Sequence, residues 1–249
     1  MNVRMVSGVV ALAAVLAAAP VEAHLKDYLV TQDYYTAKQG EFEVSFYNDM
    51  NFAEADNDDS YNSKHQVELE YGILNRLQLA YYEVYTWDRE QDWDRDELKI
   101  EAKLRLAEAG AWPVDVALYT EYANPDGHRE ISSDELENKV ILSKDVGSWN
   151  VIGNFIFEKP LNNGSPWDYE YAAGVSYALT PRTRLGLEIK EGLGDSDDVE
   201  VFSPRQPLYV VPGLYTSLTP HVRILVGPAF GLTRVSDDFQ LKSIVEVEF

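Results

Sequence analysis

The sequence predicts an all-β fold: an antiparallel transmembrane β-barrel of about twelve strands, with short turns at one end and longer loops at the other. Three observations carry this expectation. From residue 40 onward, segments of about ten residues alternate apolar and polar side chains. The connections between those segments are alternately short and long. Beyond the first residues, no apolar run approaches the roughly 20 residues of a membrane-spanning helix.

At the N-terminus, Arg4 precedes an apolar stretch from Val9 to Ala19, and Val21-Glu22-Ala23 has the small-x-small form of a cleavage site. Residues 1–23 therefore read as a secretory signal peptide, 24–39 as a short periplasmic segment and 40–249 as the barrel. The 249-residue chain has no cysteine, which excludes a disulfide-stapled scaffold and a lipidated cysteine. Its 42 acidic residues outnumber 21 Lys and Arg, a formal net charge of -21 that argues against a nucleic-acid partner. Removing residues 1–23 takes away Arg4 and Glu22 and leaves that charge unchanged.

The clearest strand is "ELKIEAKLRL", Glu97 to Leu106. Leu98, Ile100, Ala102, Leu104 and Leu106 share one face, and Glu97, Lys99, Glu101, Lys103 and Arg105 the other. A helix would spread both sets around its circumference, so the period favours a strand. The same test places strands near 41–49, 65–72, 76–86, 96–106, 114–122, 134–144, 149–158, 168–178, 183–191, 207–217, 221–231 and 239–249. "GILN", "EAGAWP", "DVGS" and two "LTP" stretches form the tight connections, and runs such as "NDMNFAEADNDDSYNS" and "GLGDSDDVEVFSPRQ" the long ones. In a narrow membrane barrel the apolar face meets lipid and the polar face turns into the lumen.

Aromatic side chains fall near both ends of these strands, as interfacial anchoring requires. Tyr71, Trp112, Trp149, Tyr177, Tyr215 and Phe249 lie near the turn side, and Trp87, Tyr122, Phe157, Tyr169, Tyr209 and Phe239 near the loop side. In the final "VEVEF", Val245, Val247 and Phe249 face one way and Glu246 and Glu248 the other. An aromatic residue ending an amphipathic last strand resembles the signal read by the machinery that inserts outer-membrane barrels.

"LVTQDYYTAKQGEFEVSFYNDM" at 29–50 and "HQVELEYGILNRLQLAYYEVY" at 65–85 resemble the family of outer-membrane proteins named for the MetA pathway of phenol degradation. The likeness rests on Thr31, Asp33, Gly40, Glu43, Glu70, Tyr71, Gly72, Asn75 and Arg76. Beyond these stretches only the strand rhythm agrees. The resemblance implies an outer-membrane channel or transporter for small solutes, without implying phenol as the substrate.

If the barrel closes between its last and first strands, Glu41, Glu43, Glu68, Glu70, Glu246 and Glu248 line the lumen at one periplasmic mouth. Like charges so placed need an answer. Permeating cations, a bound divalent ion, the segment 24–39 with Lys26 and Lys38, and cross-strand pairing with Arg76 and Arg223 are all open. Further along, Glu97, Lys99, Glu101, Lys103 and Arg105 belong to a lumen of mixed sign, which suits an open channel or a closed salt-bridged bore. Cation preference follows from the acidic mouth.

An outer-membrane lipid hydrolase would need a serine beside a histidine. Ser165 in "NNGSPW" reads better as a turn residue, and His24, His65, His128 and His221 are scattered. No catalytic residue, cofactor or dedicated metal site is therefore assigned. The acidic loops lack the spacing of a calcium hand and suit solvated surfaces bridged through divalent ions to lipopolysaccharide. The expected location is the outer membrane of a Gram-negative bacterium. Expected partners are its lipid and lipopolysaccharide, the barrel assembly machinery, and a small solute or cations.

Overall fold

A sheet that crosses a membrane must leave no strand edge unpaired, because lipid offers no hydrogen bonds. The computed structural model describes residues 27–52, 63–88, 92–125, 133–162 and 164–249, and its strands meet that requirement by closing on themselves. The strands are β1 (Phe42–Asn51), β2 (Ser63–Leu74), β3 (Leu77–Asp88), β4 (Asp92–Arg105), β5 (Asp115–Pro125) and β6 (Glu135–Val146), followed by β7 (Trp149–Pro160), β8 (Asp168–Thr180), β9 (Thr183–Asp195), β10 (Leu208–Thr219), β11 (Val222–Gly231) and β12 (Phe239–Glu248). Each pairs antiparallel with its chain neighbours, and β1 pairs with β12 to close the barrel. The twelve-stranded all-β barrel expected from the alternation is thus the observed fold. Residues 1–23, expected to be a signal peptide, and His24, Lys26, His128 and most of the loop after β1 lie outside the described residues.

Period two sorts the side chains as the alternation predicts. On β4, Glu101, Lys103 and Arg105 are buried inside the barrel, while Ile100 and Leu104 are 52% and 41% exposed on its outer wall. Phe46, Leu118, Phe155, Leu187 and Leu214 extend the exposed apolar wall around the other strands. At the closing seam, the N–H of Phe249 donates to the carbonyl of Phe42 at 2.8 Å, and their ring centroids lie 6.1 Å apart. Trp149 and Tyr177 pack at 4.7 Å near the turns, and Phe157 and Tyr169 at 5.9 Å near the loops.

Two aromatics leave the expected belts. Tyr215 points inward and is fully buried, and Tyr209 lines an internal cavity. β10 is apolar on both faces, so its alternation does not tell inside from outside. The same holds elsewhere: Ile141, Ile152, Leu225 and Ile244 point inward and pack with Tyr28, Tyr34 and Tyr215. The lumen therefore holds an apolar core, built around the segment that precedes β1.

Candidate functional site

Residues 27–39 lie inside the barrel. The chain leaves β1 through a turn at the turn-side rim, where Gly40 adopts a φ of 87° and its N–H donates to the Gly72 carbonyl at 2.8 Å. Glycine takes this left-handed conformation without steric cost. The chain rises to a bend at Leu29–Thr31 and then returns, because Tyr28 and Asp27 meet groups near the turn side again. Asp33 ties the two limbs together by accepting the N–H of Asp27 at 3.1 Å.

The apex is held by one carboxylate. Oε1 of Glu188 accepts the N–H of Leu29 at 2.8 Å, and Oε2 accepts those of Val30 and Thr31 at 2.9 and 2.8 Å. The Tyr215 hydroxyl donates to Oε1 at 2.8 Å. A buried carboxylate is costly unless its lone pairs are answered, and successive backbone N–H groups form a concave anion nest that answers them. Asn154 pairs with the backbone of Gln32 in both directions, at 2.5 and 3.1 Å. The Tyr28 hydroxyl donates to Asn150 Oδ1 at 2.5 Å.

Nearer the turns, Gln78 accepts the N–H of Ala37 at 2.9 Å, and Arg105 Nε donates to the Thr36 hydroxyl at 3.0 Å. The Tyr34 hydroxyl reaches the Ala107 carbonyl at 2.8 Å, and that of Tyr35 reaches Asp145 at 2.9 Å. Asp27 sits between Arg223, in direct contact, and Arg184 at 3.7 Å. Burial pushes the Asp27 carboxyl up to about 6, with Arg223 pulling against it.

The inner wall is shaped for this segment. A Cβ at Gly174 would lie 2.6 Å from the Tyr28 ring, and one at Gly72 would lie 1.8 Å from the Lys38 carbonyl oxygen. Glycines at Gly186 and Gly213 make the same room for Tyr215.

The acidic residues read from the sequence form two groups. Glu43, Glu68, Glu70, Glu246 and Glu248 are buried side by side on β1, β2 and β12, with Glu43 opposite both Glu70 and Glu248 in register. Lys103 borders this cluster beside Glu43 and Glu70, and neutral donors also reach into it. Tyr47 donates to Glu68 at 2.6 Å, Gln78 donates to Glu70 and Glu101 at 3.0 and 3.2 Å, and Tyr82 bridges Glu68 and Glu101. Of the two arginines weighed as partners, Arg76 lies 3.7 Å from Glu108 at the rim, and Arg223, opposite Glu246 in register, contacts Asp27. Glu41 sits at the threshold, accepting the N–H of Lys38 at 2.8 Å. Glu97 and Lys99 belong to the loop-side half, where Lys99 lies 3.3 Å from Glu97 and 3.1 Å from Glu121.

Internal space follows the segment. The loop-side cavity above Leu29 and Val30 measures about 420 Å3. Beside the segment, a void of about 80 Å3 is lined by Tyr47, Lys139 and Ile244, and one of about 10 Å3 by Glu43, Glu70, Gln78 and Lys103. Water is the largest guest that the smallest void accepts.

Ser165 donates its hydroxyl to Asn162 in its own loop, and His65 bonds Asn48 and Ser63 on the outer wall. Among the described residues, no group of three or more acidic or histidine side chains is arranged to hold a metal ion. Glu188 and Tyr215 are the anchors that sequence reasoning missed. The available signal was the double-faced apolar character of β6, β7, β10, β11 and β12, which a water-filled lumen does not call for.

No family model matches the chain, and no curated protein sequence matches it. Solved barrels are similar in fold at low identity. An outer membrane channel from Pseudomonas putida F1 superposes with a TM-score of 0.64 at 14% identity, covering 87% of this chain and 98% of that one. The KdgM porin, in complex with disordered oligogalacturonate, gives 0.57 at 8% identity over 83% and 98% of the two chains. The NanC porin gives 0.53 at 10% identity over 83% and 98%. The chain thus shares the twelve-stranded, porin-like barrel fold of these proteins.

Proposed function

We propose that this chain is a channel of the bacterial outer membrane that passes small solutes, favours cations, and is closed by its own residues 27–39. The observation that carries the reading is a bore lined by carboxylates on β1, β2, β4 and β12 and by apolar residues elsewhere, within an apolar outer wall, and filled by a segment that glycines at Gly72 and Gly174 make room for. The folds of the three solved barrels, each named a channel or a porin, point the same way.

Cation preference rests on the interior charge. In the turn-side half of the bore, Glu43, Glu68, Glu70, Glu101, Glu246 and Glu248 are buried, with Lys103 beside Glu43 and Glu70. Once the segment withdraws, Glu43, Glu68, Glu70, Glu101, Glu246 and Glu248 line the path, and lumen carboxylates tune permeation toward cations.

The test is single-channel conductance of the refolded mature protein in a planar bilayer with unequal salt, beside a form lacking residues 24–39. Low or flickering current in the full chain and a steady cation-selective current in the shortened one support the reading. Silence from both, in protein shown to be folded by heat-modifiable gel mobility, overturns it in favour of a closed structural barrel.

A further inference from the structure

The loop-side cavity contains chemistry that ion passage alone does not require. Its volume of about 420 Å3 falls within the ~300–1,000 Å3 of small-molecule sites. Four lysines from four strands converge on it: Lys64 of β2, Lys99 of β4, Lys190 of β9 and Lys242 of β12. Each ammonium is held by a carboxylate. Lys64 lies 3.1 Å from Glu97, Lys99 3.1 Å from Glu121, Lys190 2.8 Å from Glu170, and Lys242 2.7 Å from Asp49. The floor is the apolar apex of Leu29 and Val30, and Pro207 and Tyr209 add apolar surface to the wall.

This pattern selects by charge. Every charge here is already paired, so a small ion of either sign gains close-range binding only by breaking one of these ion pairs. A hydroxyl both donates and accepts, so it bridges an ammonium N–H and a carboxylate lone pair without breaking either ion pair. Lys190 and Lys242 each engage one of three N–H donors with Glu170 and Asp49. Gln66 and Gln240 add amides, and Gln240 donates to Asp237 at 2.6 Å with its carbonyl oxygen left to accept. The apolar floor suits the C–H face of a sugar ring.

We propose that this cavity binds a neutral polyhydroxylated solute of one or two sugar rings. The inference rests on the reading of the barrel as a solute channel and deepens it by naming the solute class. It is tested by calorimetric titration of the folded full-length mature protein in detergent with sucrose, with glucuronate as a singly charged acid and glycine betaine as a zwitterion. Sucrose is expected to saturate with a dissociation constant on the order of millimolar, at least about tenfold tighter than the other two.

Lys190→Met with Lys242→Met should weaken sucrose about tenfold by removing charged donors. Those changes strand Glu170 and Asp49, so Gln66→Leu with Gln240→Leu gives a second variant that leaves the ion pairs whole and should weaken sucrose in the same direction. Tighter binding of glucuronate or betaine than of sucrose, or no saturable heat with sucrose, overturns the proposal. If sucrose does not bind while the form lacking residues 24–39 conducts, the site fails and the channel stands. If sucrose binds and both forms are silent, the site stands and the channel fails.

Discussion

The Oε2 atom of Glu188 accepts the N–H of Thr31 at 2.8 Å, across 157 residues of sequence. This contact joins the middle of β9 to the apex of the segment before β1, and the neighbouring amides of Leu29 and Val30 converge on the same carboxylate. Glu188→Gln keeps the volume but turns one oxygen into a donor, which strands two of the four groups that now point at the carboxylate. Each stranded donor costs about 1–3 kcal/mol. The variant should therefore raise the open fraction by at least about tenfold, read as channel-open time in planar bilayers. An unchanged open fraction would remove Glu188 as the anchor.

Gly174→Val tests the seat from the opposite side. Its Cβ would fall 2.6 Å from the Tyr28 ring, so the ring must leave its place or the wall must move. Protease susceptibility of the N-terminal segment in the folded barrel is expected to rise. Gly153→Ala, whose Cβ meets nothing within 4 Å, should behave as wild type. Equal protection in the two variants would count against the fit of Tyr28.

The acidic cluster makes a prediction about selectivity. In the form lacking residues 24–39, Glu68→Gln, Glu70→Gln and Glu246→Gln together should shift the reversal potential toward zero under unequal salt, because the path loses its excess of fixed negative charge. A reversal potential that does not move would show that ions take their selectivity elsewhere.

Seating also depends on pH through Asp27. Its carboxyl titrates at 3.8 when free and at about 6 when buried beside Arg223, Arg184, Asp33 and Asp145. The seated state thus binds the proton more tightly, and by linkage protonation favours seating. This contribution is complete below the free value and is lost as pH rises through about 6, so the open fraction should increase between about pH 4 and 6. Asp27→Asn should flatten that rise. A slope of the same size in the variant would assign the titration to another group.

Phe249→Ala removes the ring that packs on Phe42 where β12 meets β1. Less folded barrel should be recovered from the outer membrane, measured by heat-modifiable mobility, and undiminished recovery would leave that ring without a part in closure or assembly.

Much of the barrel was legible in the chain because a strand facing lipid on one side and polar groups on the other declares itself by period. β4 is the plainest case, with Glu101, Lys103 and Arg105 inside and Ile100 and Leu104 outside. The acidic group of Glu43, Glu68, Glu70, Glu246 and Glu248 could be placed on one side of the lumen as well, because register follows from tight turns and closure. Tyr215 was assigned to the outside because β10 carries apolar residues on both faces. Thr31, Asp33, Gly40, Gly72 and Asn75 were noticed as a resemblance, and in the structure all lie in the segment or its seat.

The sequence by itself determined the architecture: the strands, their alternation, and, for strands such as β4, which face turns outward. Only the tertiary structure decided that the bore is filled, and by what. Alternation is a local property that each strand carries in its own residues. The fit of Tyr28 against Gly174, of Lys38 against Gly72 and of three amides onto Glu188 depends on groups that closure brings together, and no period within one strand records them.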